Sequence, residues 1–396
     1  MTPDQRHLSL PFFDEVHREL AIDLSAWDAQ QNIDEDDDRA ACREWVRALG
    51  DAGFLRWAVP AAQGGALPAL DSRALVILRE TLAFYSPLAD FAFAMQGLGS
   101  GAITLAGTDE QKTRYLVPVG QGKKIAAFAL SEPDAGSDAG ALATTAVRDG
   151  DGNGWILNGT KTWISNGGIA DYYCLFAKTD AAAGTRGISC FLVDANAPGL
   201  DASEHIHVMA PHPLATIKLN HCRIAATALL GEENAGFKLA MQTLDIFRAS
   251  VAAAALGFAR RALAEAIQHA KSRKMFGHTL ADFQLTQAKL GQMAADVDAA
   301  ALLTYRAAWL RDDAVRRGAS TRVTSEAAMA KMVATENAQR VIDAALQMHG
   351  GLGVKVGTKI ESLYRDIRSL RIYEGATEVQ QLIIGKALLS NVDAGG

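Results

Sequence analysis

The chain has 396 residues, 49% of them hydrophobic and 21% charged, which excludes a disordered or fibrous protein and allows a sizeable core. A formal net charge of −6 without a basic stripe argues against nucleic acid as a partner. The four cysteines (Cys42, Cys174, Cys190, Cys222) form no Cys-x-x-Cys pair, which excludes the common zinc frameworks and fits free thiols in a reducing compartment.

The N-terminus, Met1-Thr-Pro-Asp-Gln-Arg-His7, lacks the charged-then-apolar layout of a signal peptide. No stretch approaches the roughly 18 uninterrupted apolar residues of a membrane span, so a soluble, cytoplasmic protein is expected. Residues 1–124 then read as an N-terminal helical domain. Ala41, Trp45, Val46 and Leu49 recur at helical spacing, as do Leu75, Leu78 and Leu82. Gly64-Gly65 and Pro68 punctuate these segments, and the acidic run 34–38 suits a solvated loop or helix start. Thr108-Asp-Glu-Gln111 has the form of a capping box.

Residues 125–232 change character. Short apolar runs at 125–130, 172–176 and 188–193, separated by Gly, Asp and Asn, predict a compact, barrel-like β domain. From 233 to 396 the chain returns to long Ala-rich helices over 250–274, 281–312 and 320–348, the pattern of a four-helix bundle. The expected fold class is α+β, in the order α, β, α.

Two local patterns are set aside. Asp149-Gly-Asp151-Gly-Asn153-Gly154 copies the first half of an EF-hand loop, but its twelfth position is Thr160 instead of Glu, and a hairpin turn is expected. His205, His207, His212 and His221 have no carboxylate or cysteine at ligand spacing, so solvent-facing strand positions are expected and no metal site. There is neither a Gly-x-Ser-x-Gly elbow nor a phosphate-binding P-loop.

Four segments are harder to explain as packing. Phe128-Ala-Leu-Ser131-Glu-Pro-Asp-Ala-Gly136-Ser137-Asp138 follows an apolar strand with hydroxyls, Pro and Gly. Asn158-Gly-Thr-Lys161-Thr-Trp163-Ile164-Ser165-Asn166-Gly167 places an aromatic and a hydroxyl two residues apart. Arg273-Lys-Met-Phe276-Gly277, followed by Asp282-Phe-Gln284, offers an Arg at a helix end for a phosphate and a Phe for a ring. Tyr373-Glu374-Gly375-Ala-Thr377-Glu378 is preceded by Gln347-Met-His-Gly350-Gly351.

In that order, from about residue 40 to 390, these segments closely resemble the acyl-CoA dehydrogenase family. The resemblance implies FAD held non-covalently between the β domain and the helical bundle. Leu130 and Ser131 then match flavin-pyrimidine contacts, and Trp163, Ile164 and Ser165 the aromatic wall and hydroxyl near flavin N5. Arg273, Phe276 and Gln284 match the cross-subunit pyrophosphate and adenosine group. Gln347 and Gly351 match the second cross-subunit segment, and Thr377 and Glu378 the final contacts at a helix start. Ser137, Asp245, Arg248, Tyr373 and Gly375 match acyl-CoA contacts.

Glu374 matches the family's catalytic base. Where some branches place that carboxylate one residue before Arg248, this chain has Phe247, which cannot take a proton and either shapes the acyl pocket or fills the core. The implied reaction is FAD-dependent oxidation of a saturated acyl-CoA to the 2,3-enoyl-CoA. Glu374 removes the α proton and flavin accepts the β hydride, because no side chain can do so.

An electron-transfer flavoprotein is the implied acceptor, and a homotetramer, a dimer of dimers, the implied assembly. The absence of Lys and Arg between Thr81 and Gly107 disfavours glutaryl-type substrates. The turn Ala210-Pro-His-Pro213-Leu-Ala215 departs from the family's Gly- and Arg-containing sequence, and no contact is carried over to it. The alternatives are an oxygen-using acyl-CoA oxidase on the same fold and a non-catalytic binding member of the family.

Overall fold

Helices begin where a polar side chain can satisfy their unpaired first amides. Asp37 accepts from the amides of Arg39 and Ala40, Asp71 accepts from Ala74, and Thr108 and Gln111 form the expected reciprocal box. A computed structural model describes residues 1–150, 152–319 and 323–392, with side chains as far as residue 390.

The helices are α1 (Glu15–Asp28), α2 (Asp38–Asp51), α3 (Ser72–Tyr85), α4 (Pro87–Ala106), α5 (Asp109–Gly120), α6 (Gly236–Ser272), α7 (Gln284–Arg316), α8 (Thr324–His349), α9 (Lys359–Leu370) and α10 (Thr377–Val392). The strands are β1 (Ala126–Ala129), β2 (Thr145–Arg148), β3 (Gly154–Ser165), β4 (Tyr172–Lys178), β5 (Ile188–Asp194), β6 (Leu200–Ile206), β7 (Leu214–Ala225) and β8 (Leu229–Leu230), followed by a short hairpin of β9 (Lys274–Met275) and β10 (His278–Thr279). Contacts gather these elements into two units. One comprises Met1–Asn32, Asp71–Asp90 and Asp245–Gly396, the other Ile33–Leu70 and Phe91–Leu244.

The second unit is built on a mixed sheet in the order β6-β7-β3-β2-β4-β5-β8, with β1 running parallel to β4. The central strands β4 and β5 are buried along nearly their whole length, which explains their continuous apolar runs. The edge strand β6 is largely exposed and reads as polar. Tyr115, Leu116, Tyr172, Phe176 and Leu192 lie in its core. The amide of Asp149 donates to the carbonyl of Gly154, closing the β2–β3 hairpin as expected from 149–154; Asp151 lies outside the described residues.

In the first unit α7 packs on α3 and α8, α8 packs on α9 and α10, and α1 packs on α3. Helix α6 is long and apolar enough by composition to cross a membrane, but 78% of its most apolar stretch is buried, the placement of a core helix. Its Gly257 sits where a Cβ would come within 2.3 Å of the Glu80 carbonyl oxygen, so α3 and α6 cross at backbone distance. Next to that crossing, the buried Glu80 carboxylate accepts from Arg260 Nε (2.5 Å) and from the Tyr305 hydroxyl (2.8 Å).

At the start of α3, Asp312 accepts from the amides of Ser72 (2.7 Å) and Arg73 (3.0 Å) and from Arg73 Nε (3.1 Å). The helix dipole favours a carboxylate there. The helix limits in this region differ from those expected: α6 starts at residue 236, well before 250, because 236–249 is apolar enough to pack as one continuous helix, and α7 runs from Gln284 to Arg316 instead of over 281–312. The expected helix over 320–348 is described from Thr324 onward; residues 320–322 lie outside the described residues.

Candidate functional site: a pinned glutamate turn and an exposed flavin-type loop

Six non-glycine residues have left-handed backbone among the described residues: Trp163, Asn166, His221, Asn234, Phe276 and Glu374. Asn and His tolerate this region through local hydrogen bonding, whereas Trp, Phe and Glu pay roughly 1–3 kcal/mol for it. All three bulky cases fall on positions singled out from the sequence.

Glu374 lies in the turn between α9 and α10, with φ 52°, followed by Gly375 at 91°. Its backbone is fixed by donors from two helices. Gln380 Nε2 donates to the carbonyls of Glu374 (3.3 Å) and Gly375 (2.9 Å), and the buried Lys331 of α8 donates to Gly375 O at 2.7 Å. With the turn held from behind, the carboxyl group is free to serve a ligand. Its Oε2 is buried and has no hydrogen-bond partner.

Burial raises the Glu374 pKa above the ordinary carboxylate value, opposed by the nearby charges of Arg79, Lys331 and Arg248. Burial also pulls Lys331 down to about 8, with the charge of Glu374 opposing it. Arg79 is itself paired with Asp90 through two 2.8 Å bonds, both residues buried. A carboxyl group that is poorly solvated yet surrounded by cations can be charged without being neutralised by a direct partner.

Arg248 is buried, tied to Asp245, and keeps its Nε without a partner. Asp245 also accepts from Thr324 Oγ1 at 3.0 Å. Phe247 is 2% exposed and resolves to a core aromatic. Tyr373 and Gly375 flank the glutamate; burial pushes the Tyr373 phenol far above its usual value.

The β unit carries a second cluster. Glu132 is buried and structural: its carboxylate accepts from the amides of Ala143 (2.6 Å) and Thr144 (3.0 Å) and from Lys161 Nζ (2.7 Å). Lys161 also donates to Leu130 O, and the Thr162 amide to Ser131 O. The Leu130–Ser131 turn and the neighbouring β3 segment are thereby locked together. The register of β3 against β7 shifts between Lys161 and Ile164, and Trp163 swings outward there to 59% exposure. Ile164 is 1% exposed: the strand alternation turns its side chain inward and leaves its backbone to meet a ligand.

Ser165 Oγ lies 3.0 Å from His212 Nε2. This corrects the expectation of a solvent-facing strand position for His212. The residue sits in the irregular segment between β6 and β7, where its ring meets the Phe91 ring with centroids 3.9 Å apart. His207 likewise falls beyond the end of β6, exposed.

The remaining expected contacts lie on the surface. Ser137, Arg273, Gln284, Gln347, Gly351 and Glu378 are exposed, and Phe276 is 83% exposed in the β9–β10 turn. Stacking of His269 on His349 brings the C-terminal ends of α6 and α8 together near Arg273 and Gln347. Thr377 Oγ1 donates to Glu336, which also pairs with Arg371. An exposed indole beside hydroxyl and main-chain groups suits a flavin ring, and an exposed Arg, Phe and Gln suit a pyrophosphate and adenosine. The residues present therefore fit FAD.

Sequence reasoning missed Arg79, Asp90, Lys331 and Gln380, and gave Lys161 and His212 no role in the site. The available signal was a charge inside an apolar run, as with Lys331 among Ala327, Ala328, Ala330 and Ala334.

In chain order, helical segments precede and follow the sheet-forming segment, and a strained turn carries a carboxyl oxygen that is buried and unpartnered, the combination expected of a flavin-dependent oxidoreductase. The family models for the N-terminal, middle and C-terminal domains of acyl-CoA dehydrogenase match residues 2–123, 127–222 and 234–389. A 3-(aryl)acrylate reductase of Clostridium sporogenes is 42% identical over 385 residues, spanning 96% of this chain and 100% of the relative. A caffeyl-CoA reductase-Etf complex subunit, CarC, of Acetobacterium woodii is 41% identical over 350 residues, spanning 88% and 90%. The solved butyryl-CoA dehydrogenase of Megasphaera elsdenii superposes with a TM-score of 0.88 at 32% identity, covering 95% of this chain and 99% of that one. This chain belongs to the acyl-CoA dehydrogenase family, whose members are FAD-dependent.

Proposed function

We propose that the protein oxidises a saturated acyl-CoA thioester to its 2,3-enoyl-CoA, with Glu374 as the base that removes the α proton. The observation that carries this reading is the buried, unpartnered Oε2 of Glu374 in a turn whose backbone is already fixed by Lys331 and Gln380. A carboxylate is a weak base toward carbon. Burial strengthens it by raising its affinity for the proton, while Arg79, Lys331 and Arg248 keep the charged form accessible. The Glu374 amide is available to hold the thioester oxygen as charge develops there. FAD, when bound, supplies the hydride acceptor.

An electron-transfer flavoprotein fits as redox partner, supported by the Etf-complexed relative CarC. A homotetramer built from dimers fits the exposed Phe276, Leu285, Val354 and Val356, which a lone chain would leave in water. A second reading runs the same chemistry backwards: protonated Glu374 delivers its proton to the α carbon of an aryl-conjugated enoyl substrate. The 42% identity to the 3-(aryl)acrylate reductase favours it.

Anaerobic mixing with straight, branched, cyclic and aryl acyl-CoAs, in both redox states, identifies direction and substrate together. Glu374→Gln should retain FAD and lose roughly a hundred- to ten-thousand-fold in flavin reduction rate. Near-normal reduction by that variant removes Glu374 from the role.

A further inference from the structure

The turn 210–215 differs from the usual pattern of the family and is built with more constraint than a connecting loop needs. Prolines flank His212 on both sides. The His212 amide donates to an Asp38 carboxylate oxygen at 3.0 Å. The amide of Asn166 donates to the Pro213 carbonyl at 2.9 Å, and Arg39 donates to the Leu214 carbonyl at 2.7 Å. With the backbone fixed, the imidazole is wedged against Phe91 and its Nε2 meets Ser165 Oγ at 3.0 Å.

Burial lowers the His212 pKa to about 3, so the ring is neutral near pH 7, with one nitrogen donating and the other accepting. A serine hydroxyl left alone rotates among several directions. One held by an immobile imidazole does not. If Nε2 carries the ring proton, it donates to Oγ and leaves the serine proton for a ligand. If Nε2 is bare, it takes the serine proton and leaves the ligand only lone pairs.

We propose that His212 is a positioning residue whose Nε2 fixes the Ser165 hydroxyl, and thereby the hydrogen bonding that Ser165 offers to the bound flavin. The proposal rests on the reading above in which Ser165 meets that flavin. His212 itself touches neither cofactor nor substrate in this account; it acts only through Ser165.

The test uses the FAD-loaded protein and reads the midpoint potential of the bound flavin and the FAD dissociation constant. His212→Phe keeps an aromatic ring against Phe91 and removes the hydrogen bond. It should weaken FAD about three- to tenfold, the range for one net hydrogen bond. It should also shift the potential in the same direction as Ser165→Ala. In the Ser165→Ala background the same substitution should add nothing, and His212→Gln, which restores a polar group at similar reach, should return the potential toward wild type.

A His212→Phe protein with wild-type potential and affinity overturns the proposal. So does a shift that persists in the Ser165→Ala background, because the histidine would then act by packing. If His212→Phe melts early, the comparison passes to His212→Gln and His212→Leu, of which only the first should retain the wild-type potential. A wild-type chain that takes up no FAD overturns the parent reading instead, so the two failures are distinct.

Discussion

At the scale of single residues, the question is how a carboxyl group becomes a base for carbon near neutral pH. If Glu374 is the proposed base it acts when deprotonated, so flavin reduction should rise with pH through its pKa. Burial sets that pKa above the ordinary value of about 4.3. The positive charge of Lys331 favours the carboxylate, so Lys331→Met should move this acid limb to higher pH. Stopped-flow reduction across pH checks both statements. A limb that stays in place in the Lys331 variant means that its role ends at holding the Gly375 carbonyl.

The left-handed backbone at Glu374, Trp163 and Phe276 belongs to the same scale. Sequence motifs pointed to all three residues but gave no sign of their strain. Strain is a property of where neighbouring elements force the chain to go, as the Lys331 and Gln380 bonds do at Glu374.

At the scale of elements, what reads well is what is local. The Thr108–Gln111 box needs three residues of separation, and the β2–β3 turn needs five, so both were legible. The partners of Lys331, His212 and Asp312 lie 44, 47 and about 240 residues away along the chain and were not. Helix crossings are equally hidden. Gly257 looks like any glycine in an Ala-rich helix, yet it lets α6 approach α3 within backbone contact. Gly257→Ala should destabilise the protein by roughly 1–3 kcal/mol, the usual cost of overpacking a close crossing. A denaturant midpoint unchanged by that substitution would show that the two helices can separate without penalty.

At the scale of the whole chain, the three sequence segments 1–124, 125–232 and 233–396 and the two contact units are different divisions. The helical unit recruits 71–90 from the first segment, because α3 buries its apolar face, and its charged Arg79 and Glu80, against helices from the last. Composition changes along the sequence; burial is satisfied wherever a complementary face lies. If the chain binds FAD as a family member does, saturating FAD must raise its melting temperature by mass action. The gain is about 2.7 kcal/mol at a hundredfold excess over the dissociation constant. Calorimetry of the apoprotein with and without added FAD measures it, and an unmoved transition would count against cofactor binding.

The sequence alone determined the alternation of helical and strand periodicity, the local caps and turns, and the motif residues to which the proposed chemistry is assigned, since each depends on neighbours a few positions apart. Only the tertiary structure decided which groups surround those residues. The cations around Glu374, the Glu132–Lys161 lock behind Ser131 and the histidine on Ser165 are brought together by packing of distant segments. Hydrophobic burial drives that packing without regard to sequence separation.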